Sequence, residues 1–142
     1  MKKILPSIVV FLLLCSGLSL FAQDNANLEK NKAIAVKYHE LKAEDVDVLL
    51  AVNFVGHSND MTWTRENHRQ ALNTTHKTFK SEDKILSMLA EGDIVAIRFV
   101  RMGEMEGKPV KLDMMQFMHI LDGVIVEIWE SYNPEQFESQ IE

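Results

Sequence analysis

The sequence predicts an α+β fold, with helices first and an antiparallel sheet after them. Three features point there. As far as about residue 79, apolar residues recur at helical spacing, and from Lys84 onward they recur every second residue. Short turn sequences, Glu91-Gly92-Asp93 and Asp122-Gly123, separate the later apolar runs and suit antiparallel neighbours. The last run is apolar on both sides, with Ile125 and Trp129 opposing Val126 and Ile128, so its sheet needs cover on both faces.

The chain opens with Lys2 and Lys3, an apolar run from Ile4 to Phe21, and the small residue Ala22. This pattern predicts a secretory signal peptide, Met1 to Ala22, and an exported protein, periplasmic or secreted. A retained membrane anchor is the alternative, because the run is close to the ~18 residues that span a bilayer. Cys15 follows Leu14, where a lipidation site needs a small residue. Cleavage leaves one domain from Gln23 to Glu142, 120 residues, long enough for one core. Loss of Lys2 and Lys3 takes the formal charge from −6 to −8. An acidic domain without a basic run excludes nucleic acid as a partner. The single cysteine leaves with the signal, and with it any disulfide, thiol nucleophile or thiolate metal site.

Leu28 to Ala43 reads as a helix, with Ile34, Tyr38 and Leu41 on one stripe and Ala35 beside it. A second, short helix is expected over Asp45 to Val52, an extended segment over Asn53 to His57, and a polar loop over Ser58 to Thr62. Thr64 is placed to cap a third helix running to about Phe79, burying His68, Leu72, Thr75 and Phe79. Strands follow over Lys84 to Ala90, Ile94 to Met102, Val110 to Leu121 and Val124 to Tyr132, with a loop or bulge between Gly103 and Gly107. Asn133-Pro134 ends the last strand, and Glu135 to Ile141 suits a final helical turn.

The last strand carries the sharpest chemical signal. In a regular strand Val124, Val126, Ile128, Glu130 and Tyr132 share one face, so a carboxylate stands among apolar side chains. Desolvation there raises a carboxyl pKa, which suits Glu130 to take and return a proton. Exposure at a strand end, or an ion pair with Arg98 or Arg101, is the competing reading. Gln116 shares a face with Leu112, Met114, Met118 and Ile120, where an amide needs a partner. That partner is either a ligand oxygen or the protein backbone. His57 ends the extended segment as a second candidate polar group, against the plainer reading of a loop histidine. Trp63 is either a pocket lid or a hydrophobic staple on the third helix. Five of the eight methionines lie between Met102 and Met118, and flexible thioethers suit an adaptable apolar pocket as well as ordinary core filling. Thioethers in an exported protein could also hold copper(I), a lesser alternative. His68 and His76 are too far apart for a zinc pair, and no Ser-His-Asp arrangement, phosphate loop or nucleotide fingerprint is present.

The chain resembles the SnoaL-like family of small polyketide cyclases, within the nuclear-transport-factor-2-like superfamily. The resemblance spans about residues 28 to 135. It rests on the hairpin from Gln116 through Asp122-Gly123 to Glu127-Ile128-Trp129-Glu130, on Phe54-Val55-Gly56-His57-Ser58, and on Glu91-Gly92-Asp93-Ile94-Val95. It implies a cone-shaped curved antiparallel sheet, with the N-terminal helices packed on its concave face, and a homodimer paired through the outer sheet face. It also implies cofactor-free acid-base chemistry on a small apolar carbonyl compound, such as an aldol-type cyclisation or isomerisation. By position, Glu130 stands where the family has its catalytic aspartate, Ile128 where it has histidine, and Gln116 where it often has Asp or His. Gln116 and His57 are then hydrogen-bonding partners, and Trp63, Met114, Met118, Ile128 and Tyr132 line the substrate pocket.

Hairpin register decides whether Gln116 and Glu130 meet. A two-residue Asp122-Gly123 turn pairs Gln116 with Trp129 and separates the two polar residues. A three-residue loop with a bulge at Gly123 pairs Gln116 with Ile128 and brings Glu130 onto the same face. The resemblance favours the second. A ligand-binding or dimerisation module without catalysis is the alternative function.

Overall fold

The computed structural model describes residues 25–105 and 107–141. The expected signal peptide, Met1 to Ala22, lies outside the described residues. Helix α1 covers residues 25–39 and buries Ile34, Ala35 and Tyr38 against the sheet. It ends earlier than expected, and a 3-10 turn, Ala43–Asp45, leads into a single helical turn, α2, Val46–Leu49. The second helix is therefore shorter than predicted. Leu50 already belongs to strand β1, Leu50–Ser58, because ladder pairing with the last strand outweighs a weak local helix preference.

The expected polar loop is a tight turn at Asn59-Asp60 between β1 and a short edge strand β2, Met61–Thr64. Asn59 takes the left-handed conformation, which asparagine tolerates. Thr64 then caps α3, Arg65–Thr78: its Oγ1 accepts from the Asn67 amide at 3.3 Å, and Asn67 Oδ1 accepts from the Thr64 amide at 3.1 Å. This reciprocal pairing is a capping box closed by asparagine. The strands β3, Phe79–Glu91, β4, Ile94–Met105, β5, Lys108–Leu121, and β6, Val124–Tyr132, form an antiparallel meander. Pairing continues through Gly103 to Met105, so β4 is longer than expected. Helix α4, Pro134–Ile141, is pinned to β5 by Gln140, which exchanges two hydrogen bonds with the Lys111 backbone at 2.7 and 3.0 Å.

The strand order is β2-β1-β6-β5-β4-β3, giving one curved, unclosed six-stranded sheet. The β1–β6 pair is parallel, a departure from the all-antiparallel expectation. Along β5 the alternation is complete: Val110, Leu112, Met114, Gln116, Met118 and Ile120 are buried while Met115 and Phe117 face outward. The helices and the inner faces of β1, β4, β5 and β6 enclose one core.

The terminal hairpin combines features of both expected registers. Leu121 pairs with Val124, so the turn has two residues, with Asp122 and Gly123 both at positive φ. A bulge at Val126 then adds one residue to β6, and Gln116 pairs directly with Glu130. The bulge also corrects the inward-facing set. Ile125, rather than Val126, is buried with Ile128, and Glu130 follows on the same face.

Candidate active site

A cleft of about 460 Å³ opens between the sheet and the α1 and α3 helices. Its walls come from Tyr38 on α1, Ser58 on β1, Trp63 on β2, His68 on α3, Arg101 on β4, and Glu130 and Tyr132 on β6. Six separate elements therefore converge on it, held in place by the sheet ladder.

Two directly opposed cross-strand pairs build the polar floor, with Arg101 and Glu130 on the cleft and Asp83 and Gln116 behind them. Asp83 and Arg101 oppose each other on β3 and β4, and Gln116 and Glu130 on β5 and β6. Arg101 donates through Nε and Nη2 to the two Asp83 oxygens at 2.7 and 2.8 Å. Asp83 Oδ2 also meets His39 Nδ1 at 2.9 Å. Burial alone would raise the Asp83 carboxyl, but these partners together outweigh it and hold the group below its usual range. Arg101 is in turn held above its ordinary value despite burial, by Asp83 first and then by the Glu130 charge.

Glu130 behaves in the opposite way. Burial pushes its carboxyl above the usual range; Arg101 and the Gln116 bond pull it down but are outweighed. Gln116 donates from Nε2 to Glu130 Oε2 at 3.1 Å, and its own Oε1 finds no hydrogen-bond partner among the described residues. Two carboxyl groups on one floor thus have opposite tendencies, because Arg101 and His39 are committed to Asp83. Above them, rings stack from Trp63 to His68 (centroids 6.5 Å apart) and from His68 to Tyr38 (5.4 Å). Burial, with the Arg101 charge adding to it, pushes the His68 imidazole down to about 4, so this wall is neutral near pH 7. The Tyr38 hydroxyl is pushed up by burial and by the Glu130 charge.

Glu130, Trp63 and Tyr132 lie on the cleft, and Gln116 lies beneath it on Glu130. Met114, Met118 and Ile128 are fully inside the core below rather than in its wall. His57 corrects the expectation further. It sits on the outer sheet face, with Nε2 2.9 Å from Glu127 Oε1 and its ring stacked on Trp129 at 5.6 Å. The reason is strand parity: Phe54, Gly56 and Ser58 point inward, so His57 points out. Arg98 likewise faces outward on Asp113, at 2.6 Å, and leaves Arg101 as the interior cation.

Sequence reasoning missed Tyr38, His39, Asp83 and Ser58 as site residues. One signal was available. Val95, Ile97, Phe99 and Arg101 share a strand face, and a guanidinium closing an apolar row calls for a buried anion. The Asp83 partner was harder to find, since β3 carries an irregularity between Ile85 and Ser87 that shifts its register.

Among the described residues no group of three or more His, Cys, Asp or Glu is placed to hold a metal ion. No described helix is long and apolar enough to cross a membrane.

No family model matches the chain, and no curated protein matches it. Solved structures do. IdmH from Streptomyces antibioticus, a candidate polyketide cyclase, superposes with a TM-score of 0.67 at 21% identity, over 78% of this chain and 97% of that one. A candidate polyketide cyclase from Xanthomonas campestris gives 0.71 at 18% identity, over 82% and 99%. A SnoaL-like candidate polyketide cyclase from Jannaschia gives 0.71 at 12% identity, over 80% and 92%. The fold is that of the SnoaL-like polyketide cyclases, the cone of the nuclear-transport-factor-2-like proteins. At these identities the likeness concerns the fold, and chemistry must be argued from the site.

Proposed function

We propose that this protein binds a small, largely apolar carbonyl compound in the cleft and catalyses proton transfer at the carbon beside the carbonyl. The observation that carries the reading is Glu130, a desolvated carboxyl on the cleft wall whose affinity for protons is raised. A carboxyl whose proton affinity is raised is a stronger base when ionised and can return the proton it takes. Gln116 serves it in both states. Its amide donates to the carboxylate, and after rotating by half a turn its oxygen accepts from the carboxylic acid. Such a transfer supports an aldol-type cyclisation or an isomerisation, and no cofactor enters the step.

The test is deuterium incorporation into a panel of small cyclic diketones, followed by NMR, with wild type and Glu130→Gln. Exchange above the buffer rate that disappears in the variant supports the reading. Equal exchange by both proteins sinks it. The second reading is a ligand-binding module without turnover, favoured by the Gln116 bond and the nearby Arg101 charge, both of which oppose the rise in the Glu130 proton affinity. Mass spectrometry of small molecules retained on purification separates the two when read beside the exchange assay.

Two further proposals concern the molecule as a whole. Met115, Phe117 and Trp129 are about half exposed on the outer sheet face, and a second copy covering them would make a homodimer. Light scattering at micromolar concentration should report twice the chain mass, and a monomer would end that proposal. Export with cleavage after Ala22 predicts an N-terminal sequence starting at Gln23, whereas a retained Cys15 would contradict it.

A further inference from the structure

We propose that Ser58 and Trp63 form a pair of neutral donors that holds the carbonyl oxygen of the substrate. The inference rests on the acid-base reading of Glu130 and gives the same cleft its oxygen-binding side. Ser58 Oγ and Trp63 Nε1 both line the cleft wall as residues, both atoms are sealed from bulk water, and neither finds a hydrogen-bond partner among the described residues. Leaving such groups unpaired is costly, so an acceptor arriving with a ligand gains more than it would in water.

The backbone places the two donors beside the base. Ser58 on β1 is the ladder partner of Glu130 on β6, one strand spacing of about 4.8 Å away. Trp63 on β2 opposes Gly56, two residues before Ser58 on the same inner face. Its indole, nitrogen included, occupies the volume that a Cβ at Gly56 would take. Two residues along a strand span roughly 6.7 Å, so both donors fall within one small ligand. Base, hydroxyl and indole N–H thus form an arc across β6, β1 and β2.

This arrangement selects a ketone or aldehyde with an acidic neighbouring C–H. When the Glu130 carboxylate takes that proton, the C–H electron pair becomes the new C=C bond and the carbonyl π pair moves to oxygen. The enolate oxygen then gains negative charge against Ser58 O–H and Trp63 N–H, which keep their protons. Nothing is oxidised or reduced, and reprotonation at carbon restores the base. Donors aimed at developing charge act more strongly on the enolate than on the ground-state carbonyl.

The pair can be tested by binding alone, without turnover. The probes are 4-nitrophenol and 4-nitrotoluene, alike in size and differing in the oxygen, titrated calorimetrically at about pH 6. The wild type should prefer the phenol. Trp63→Phe and Ser58→Ala should each reduce that preference about three- to tenfold, the range of one lost neutral hydrogen bond. Ser58→Thr, which keeps the hydroxyl, should retain it. The proposal is overturned if the wild type shows no preference or binds neither probe. It is equally overturned if the donor variants keep the preference, or if only Glu130→Gln loses it. Failure of the acid-base reading appears separately, as unchanged deuterium exchange in Glu130→Gln.

Discussion

Replacing Arg101 with methionine removes a guanidinium and keeps an unbranched chain of similar reach. The Asp83 side chain, 7% exposed, would lose both Arg101 bonds and keep only His39 at 2.9 Å. Breaking a buried pair on one side costs about 3–5 kcal/mol, because the remaining charge is uncompensated. Arg101 itself is 28% exposed, which argues for the lower end, about 3 kcal/mol, or two orders of magnitude in the unfolding equilibrium. The pH dependence gives a sharper signature. In the wild type, Asp83 has a lowered folded pKa, so its contribution is complete above the unfolded value of ~3.9 and is lost as pH falls through the folded one. Without Arg101, burial becomes the dominant influence and the carboxyl shifts upward. The deficit of Arg101→Met should therefore be largest near neutrality and shrink in acid as Asp83 takes up a proton. Urea unfolding of both proteins at several pH values measures this. A deficit under about 1 kcal/mol at pH 7, or one independent of pH, would refute the reasoning, since an exposed or already compensated Asp83 behaves that way.

Glu130→Gln should be at least as stable as wild type near pH 7. The raised folded pKa makes ionisation costly between the unfolded value of ~4.3 and the folded one, and the penalty persists above it. Below that window the two proteins should converge; urea midpoints against pH would show it, and a clear loss at neutrality would count against a desolvated carboxyl. The His68 imidazole should remain neutral until the pH nears 4, so it lowers stability as pH falls from ~6.5 toward that value. Its ring resonances in an NMR titration report this directly, and a midpoint near 6.5 would place the ring in water. Gly56→Ala should cost about 1–3 kcal/mol through overpacking against the Trp63 indole. Trp63 fluorescence, isolated in a Trp129→Phe background, should shift with it, and an unchanged spectrum would mean that the indole does not rest on Gly56.

Where one physical pattern dominates over many residues, local sequence is enough. The change of period near residue 80, the two short turns and the six buried residues of β5 follow from alternation alone. So does the prominence of Glu130, an ionisable side chain on an otherwise apolar face. Even there the sequence supplied the residue and the wrong neighbour, because the Val126 bulge exchanges Val126 for Ile125 in the core. A bulge adds one residue to one strand and is stabilised by twist and packing across the ladder, which a two-residue period cannot express.

The rest of the site depends on partners far apart in the chain. His39 and Asp83 are 44 residues apart and lie on a helix and a strand whose contact exists only in the folded cone. Arg101 meets Asp83 because strands pair, and His57 leaves the cleft because Phe54, Gly56 and Ser58 take the inward face of β1. The sequence by itself determined the class of fold, the face on which a carboxyl would stand and the acidic balance of the chain. Tertiary structure alone decided which cation that carboxyl would not receive. Arg101 is committed to Asp83, and so burial is left to raise the proton affinity of Glu130. Charge, desolvation and hydrogen bonding act through distances in space, and those distances come into being only when the six strands and their helices close on one another.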